Sequence, residues 1–192
     1  MGNTLYSKNR FKKIDITDIA VKKVRKISYH TLSSEQNDIL FDLARIVLLT
    51  SKEKNQSNEV AITIDLDNID NGWGISYGDE HGVDVCSDTI SNHLLLTGNN
   101  VAIIHNHPST QTLSIEDIGF FFRYARLKFM VVVTNQGTVH YIMKDDDYSY
   151  EDAERLRQEC VEDLTKESSV TECYEAALDF ITHCSEVGLY YR

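Results

Sequence analysis

Residues 105–117 read HNHPSTQTLSIED. His105 and His107 are separated by one residue, so on a strand both imidazoles leave the same face. The preceding VAII is apolar at every position, as in a central strand covered on both sides, and Pro108 ends the run. Two neutral imidazoles aimed one way can share a Zn²⁺ ion. The loop PSTQTL then returns the chain to a helix starting at Ser114, and Asp117 could supply a carboxylate as third ligand. Two histidines, one carboxylate and a water make a catalytic zinc set. The same letters also spell an ordinary helix start, with Ser114 as N-cap and acids in the first turn, next to two polar residues at a strand end. The residue pattern leaves both readings open.

The elements around this stretch follow from periodicity. SSEQ at 33–36 matches a capping box and opens a helix with Ile39, Leu40, Leu43, Ile46 and Val47 on one face. EVAITIDL alternates, with Val60, Ile62, Ile64 and Leu66 on one side and Glu59, Ala61, Thr63 and Asp65 on the other. WGISYG and GVDVC read as two further short strands. Ser87 is read as the cap of a helix running to Thr97, before Gly98. SIEDIGFFFRYARL is a helix, and KFMVVVTNQGTVHYIM is a hairpin turning near Asn135–Gly137. The order of elements makes an α/β domain with a mixed sheet between helices, spanning 33–144. Residues 1–32 form a basic N-terminal arm, loose over 1–12 and a strand or docking segment beyond. Residues 145–192 form an acidic two-helix C-terminal appendage.

The 192-residue chain carries a net charge of −11. Residues 8–26 hold eight Lys and Arg against two Asp, a net +6, which leaves −17 for the rest. An acidic body disfavours nucleic acid as the main partner. No apolar run approaches the roughly 20 residues needed to cross a bilayer, and no secretory signal is visible. The four cysteines show no CxxC spacing and read as reduced thiols in a cytoplasmic protein. A zinc deaminase would need a Pro-Cys-x-x-Cys partner, which the sequence lacks. The letters HNH do not make the nuclease motif of that name, which is not three consecutive residues.

Taken together, HNHPS and the downstream LSIEDI resemble the JAB/MPN metalloproteases, which include the JAMM deubiquitinases and the bacterial RadC-like proteins. That family carries an upstream Glu, then His-x-His-Pro, a loop, and Ser-x-x-Asp. HNHPS is similar to the RadC form in particular, and the resemblance covers roughly residues 33–144. It implies a JAB/MPN-like (cytidine-deaminase-like) fold, with His105, His107 and Asp117 as zinc ligands. It implies Ser114 as a hydroxyl donor to the oxyanion, and Glu59, in SNEVAITID, as the general base acting on the zinc-bound water. The loop PSTQTL is one residue shorter than the usual form, while the Ser-to-Asp spacing is kept.

The function expected from this resemblance is hydrolysis of a peptide or isopeptide bond in a protein substrate, such as the tail of a ubiquitin-like protein. Two other readings compete: a JAB-fold binding or scaffold module without chemistry, and a RadC-like DNA-associated protein.

Overall fold

In the computed structural model, which describes residues 12–192, the strand bearing the two histidines lies inside a six-stranded mixed sheet. β3 (Val101–His107) is buried at all seven positions, as its unbroken apolar run requires. β1 (Val60–Asp65) pairs with it antiparallel, with Ala61 opposite His105. β4 (Leu127–Thr134) pairs on its other side in parallel, with Val132 opposite His105 and Thr134 opposite His107. β2 (Trp73–Tyr77) extends the sheet beyond β1. β5 (Val139–Lys144) and β6 (Leu189–Tyr191) extend it beyond β4, giving the order β2-β1-β3-β4-β5-β6.

Alternation along the strands divides the core in two. One face buries Ile62, Ile64, Ala102, Ile104 and Val131 beneath α2 (Ser34–Lys54), whose start is fixed by the Ser33–Gln36 capping box. The other face carries Ile103, Met130, Val132 and Ile142. It is covered by α3 (Thr89–Thr97), α4 (Ile115–Arg123), α5 (Tyr150–Val161) and α6 (Val170–His183). The molecule is thus a mixed α/β sheet flanked by helices, and no helix among the described residues is long and apolar enough to cross a membrane.

Four local expectations need correction. GVDVC does not form a strand. The Asp84 side chain accepts from Cys86 N at 3.0 Å and winds Val85–Ser87 into a 3-10 turn. The cap of α3 is Asp88, which accepts from Ser91 N at 2.8 Å; Ser87 turns its hydroxyl back onto Asp84 O. The C-terminal segment is more than two helices, because β6 completes the sheet against β5 through backbone pairing. Residues 13–32 contain no strand, the first of the two forms expected for them, and instead dock against the core. α1 (Asp18–Lys23) and its flanks bury Ile16, Ala20, Val21, Val24 and Tyr29, leaving Lys22, Lys23, Arg25 and Lys26 exposed. Gly137, at φ +84°, makes room for that segment, since a Cβ there would lie 2.1 Å from Ala20 O. Apart from Lys12, the looseness expected over residues 1–12 lies outside the described residues.

Candidate metal centre

Both imidazoles leave the helix-covered face of β3 side by side, and their Nε2 atoms are 3.1 Å apart. α4 starts opposite them. Ser114 caps it by accepting from Asp117 N at 3.0 Å, while Ser114 N and Oγ donate to Asp117 Oδ2 at 2.8 and 2.7 Å. This capping box turns the Asp117 carboxylate toward the strand, with Oδ1 3.4 Å from His105 Nε2 and Oδ2 3.2 Å from His107 Nε2. The two readings of SIED therefore coincide: the cap is what holds the carboxylate in place. The six-residue loop PSTQTL is long enough to bring it there.

The donor set fits a tetrahedral metal ion. Ligand bonds near 2.0–2.1 Å give donor–donor separations of about 3.3 Å; the two Nε2 atoms are 3.1 Å apart, and each lies 3.2–3.4 Å from a different oxygen of Asp117. The ring of His107 is oriented by Nδ1, which lies 3.3 Å from Gln111 O. A carbonyl can only accept, so Nδ1 carries a hydrogen, and it is the neutral form of the ring that presents a lone pair at Nε2. Both histidines are buried, and the Asp117 side chain is 20% exposed, so the group opens to solvent on the carboxylate side.

Glu59 immediately precedes β1 and lies on the same face as Ala61, the residue paired with His105. Its backbone is held by Glu59 N donating to Asp79 O and Gly78 N donating to Glu59 O, both at 2.9 Å. Its carboxyl, 8% exposed, accepts no hydrogen bond among the described residues. Burial pushes its pKa up to about 8; the charge of His107 opposes this, and those of Asp117 and Asp79 add to it. Burial pulls His107 down, but the hydrogen bond and charge of Asp117, together with Glu59, carry it up to about 9. Burial raises Asp117, and the charges and hydrogen bonds of His105 and His107 outweigh this and hold it well below the carboxylate range. The balance describes a pocket that favours positive charge at its centre, which a proton on His107 or a metal cation would provide.

The residue between the histidines does different work. Asn106 points to the opposite face and is fully buried. Its Oδ1 accepts from Val60 N at 2.8 Å, and its Nδ2 donates to Asn58 O at 3.1 Å and Asn135 Oδ1 at 2.8 Å. Asn135 in turn donates to Ser57 O and Ile14 O, at 2.9 and 2.7 Å. Asn106 thereby ties the residues on both sides of Glu59 to the strand end that carries the histidines. In the sequence Asn106 is only the residue between the two histidines. The available signal was an amide on a strand covered on both faces, where a buried polar group must find partners.

His105, His107, Asp117, Glu59 and Ser114 all line one cleft of about 810 Å³. Glu35 and Glu53, the other glutamates near α2, do not line it, and of Trp73, Tyr77 and His81 only His81 does. Comparison with protein families, with curated proteins and with solved structures returns no match.

Proposed function

We propose that the protein is a zinc-dependent hydrolase of the JAMM type that cleaves a peptide or isopeptide bond in a protein substrate. The observation that carries this reading is the approach of His105, His107 and Asp117 to tetrahedral-edge spacing beside a buried carboxyl with no hydrogen-bond partner among the described residues. The motif order and the mixed α/β architecture support a JAB/MPN-like assignment.

His105 and His107 would hold the ion through Nε2, and Asp117 through its carboxylate. When bound, Zn²⁺ supplies a water acidified to a pKa of about 7 and polarises the substrate carbonyl. Glu59 takes a proton from the attacking water and delivers it to the departing amine. Its burial suits this role, since a carboxyl raised toward neutrality can both accept and return a proton. Ser114 Oγ now donates to Asp117 Oδ2; once that oxygen is engaged as a ligand, the hydroxyl is free to donate to the developing oxyanion. Asn106 sets the distance between Glu59 and the histidines through Val60 N. Glu59, Glu80, Glu116 and Asp117 outnumber Lys12 and Lys13 along the cleft, and that balance weighs against a nucleic-acid substrate.

The test is Glu59→Gln. Hydrolysis of isopeptide- and peptide-linked substrates is expected to fall by about 10²–10⁴-fold, with zinc content unchanged. Hydrolysis at the wild-type rate would remove Glu59 from the mechanism. The competing reading, a binding module without chemistry, predicts a purified protein with no stoichiometric zinc.

A further inference from the structure

The cleft is far larger than the metal set needs. An ion and a water, whose share of liquid volume is about 30 Å³, would leave most of its roughly 810 Å³ free. This size falls in the range of sites that enclose a ligand group. Its floor is the sheet face at Ile103 and Met130, beside His105. One wall is Ile115 and Phe120 of α4 with Val170 and Tyr174 of α6; Val83 and Val85 face the cleft from the segment after β2. Glu116 and Cys173 share the wall of α4 and α6, and Lys12, Lys13, Glu80 and His81 line the cleft elsewhere, so the apolar part is the pocket bounded by Ile103, Ile115, Phe120, Met130 and Val170.

That wall is built before any substrate arrives. α6 opens on its own capping box, Ser169 with Glu172, and buries Ala177 and Phe180 completely. Phe180 packs on Phe122 of α4, with ring centroids 5.6 Å apart. The C-terminal helix thus has one row of residues in the core and another on the cleft.

We propose that the chamber between α4 and α6 is the subsite for a bulky apolar side chain on the acyl side of the scissile bond. The inference rests on the hydrolase reading above. The departing amine must lie toward Glu59, which returns its proton, and Glu59 sits with the 79–83 segment. The acyl half then lies toward Ser114, Ile115 and α6. A polar side chain set against Ile103, Phe120, Met130 and Val170 would lose water to apolar surface, whereas Phe or Leu would gain by the same exchange. The C-terminal segment, on this account, sets which residue is accepted at the cleaved bond.

The experiment compares two peptides, Ac-Gly-Ala-Phe-Gly-Ala-amide and Ac-Gly-Ala-Ser-Gly-Ala-amide, on the zinc-loaded full chain carrying Glu59→Gln. Binding is read by calorimetry, and cleavage is read in parallel on the wild type. The Phe peptide is expected to bind about tenfold more tightly. Val170→Asp, which puts an acid where a helix start favours one, and separately Phe120→Ala, should each reduce that preference to about threefold or less. Equal binding of the two peptides, no binding of either, or a preference unchanged in both variants overturns the subsite. A preference that both variants abolish, found with no cleavage by the wild type, upholds the subsite and overturns the hydrolase reading instead. Cleavage without preference does the reverse.

Discussion

Strand β1 is flanked by two acids on the same face, Glu59 just before it and Asp65 at its end, and both are almost fully buried. Asp65 accepts four hydrogen bonds, from Asp67 N, Asn68 Nδ2, Asn99 N and Asn100 N, at 3.0–3.1 Å. Burial alone would raise its pKa, but these donors outweigh it and hold the carboxyl below its ordinary value. Glu59 has no such donors among the described residues, and burial pushes it up to about 8. Glu59 lies deeper in the protein and also lacks donors there, whereas Asp65 borders a surface pocket and is fully hydrogen-bonded, so desolvation and hydrogen bonding both separate the two. A carboxylate used to hold turns together is fully satisfied. One left without donors next to two histidines and another carboxylate is poised to exchange a proton.

The largest effect that separates the two acids is on activity. Glu59→Gln should cost about 10²–10⁴-fold in turnover and leave thermal stability unchanged or raised, because a buried carboxyl without partners is replaced by a neutral amide. A melting temperature lowered by the substitution would show that Glu59 is structural after all. Asp65→Ala should do the opposite. It strips four hydrogen bonds to a carboxylate, and the part-buried backbone donors of the 99–100 turn can recover some of them from water, for a loss of about 2 kcal/mol in denaturant unfolding. Zinc content per folded molecule should be unaffected.

Asn106→Leu comes next. It removes the acceptor for Val60 N and the donor to Asn58 O and Asn135 at once, and should cost about 3 kcal/mol. Because it loosens Glu59 relative to the histidines, turnover should fall while zinc affinity changes little. An undiminished rate in this variant would mean the amide hub does not position Glu59.

The smallest effect is the pH dependence of the metal-free protein. Glu59 titrates near 8 when folded and near 4.3 when unfolded, so between those values the folded chain holds the extra proton and stability falls as pH rises. His107, raised to about 9, acts in the same direction: its contribution is complete below about 6.5 and is lost as pH rises through 9. Asp65 has the opposite sign, stabilising above about 3.9 and losing its contribution as pH falls through its lowered folded value. Melts in chelator should therefore show stability declining from pH 5 to 9. The slope should be shallower in Glu59→Gln, and the acid-side loss smaller in Asp65→Ala. Identical profiles in all three proteins would remove the contrast.

Much of the frame was legible because periodicity is local. The alternation in EVAITIDL put Glu59 and Asp65 on one face, the apolar run before His105 marked the covered strand, and SIED marked a capped helix. What escaped depends on contacts between distant residues. Nothing near Asn106 in the sequence names Val60 or Asn135 as its partners. The short LYY segment becomes a strand only because β5 offers it an edge. Val170 and Tyr174 read as one more helical stripe until α6 is seen against the cleft. Glu59 itself came from resemblance to a family, since spacing alone does not distinguish it from Asp65.

The most direct measurement of the central claim is the zinc content of the full-length protein after exchange into metal-free buffer, alongside His107→Ala. The wild type should retain about one zinc per chain and lose thermal stability when a chelator removes it. His107→Ala, with only two of the three ligands, should retain almost none. A wild type that neither holds zinc nor is stabilised by it, or a His107→Ala variant that holds as much, would contradict the account.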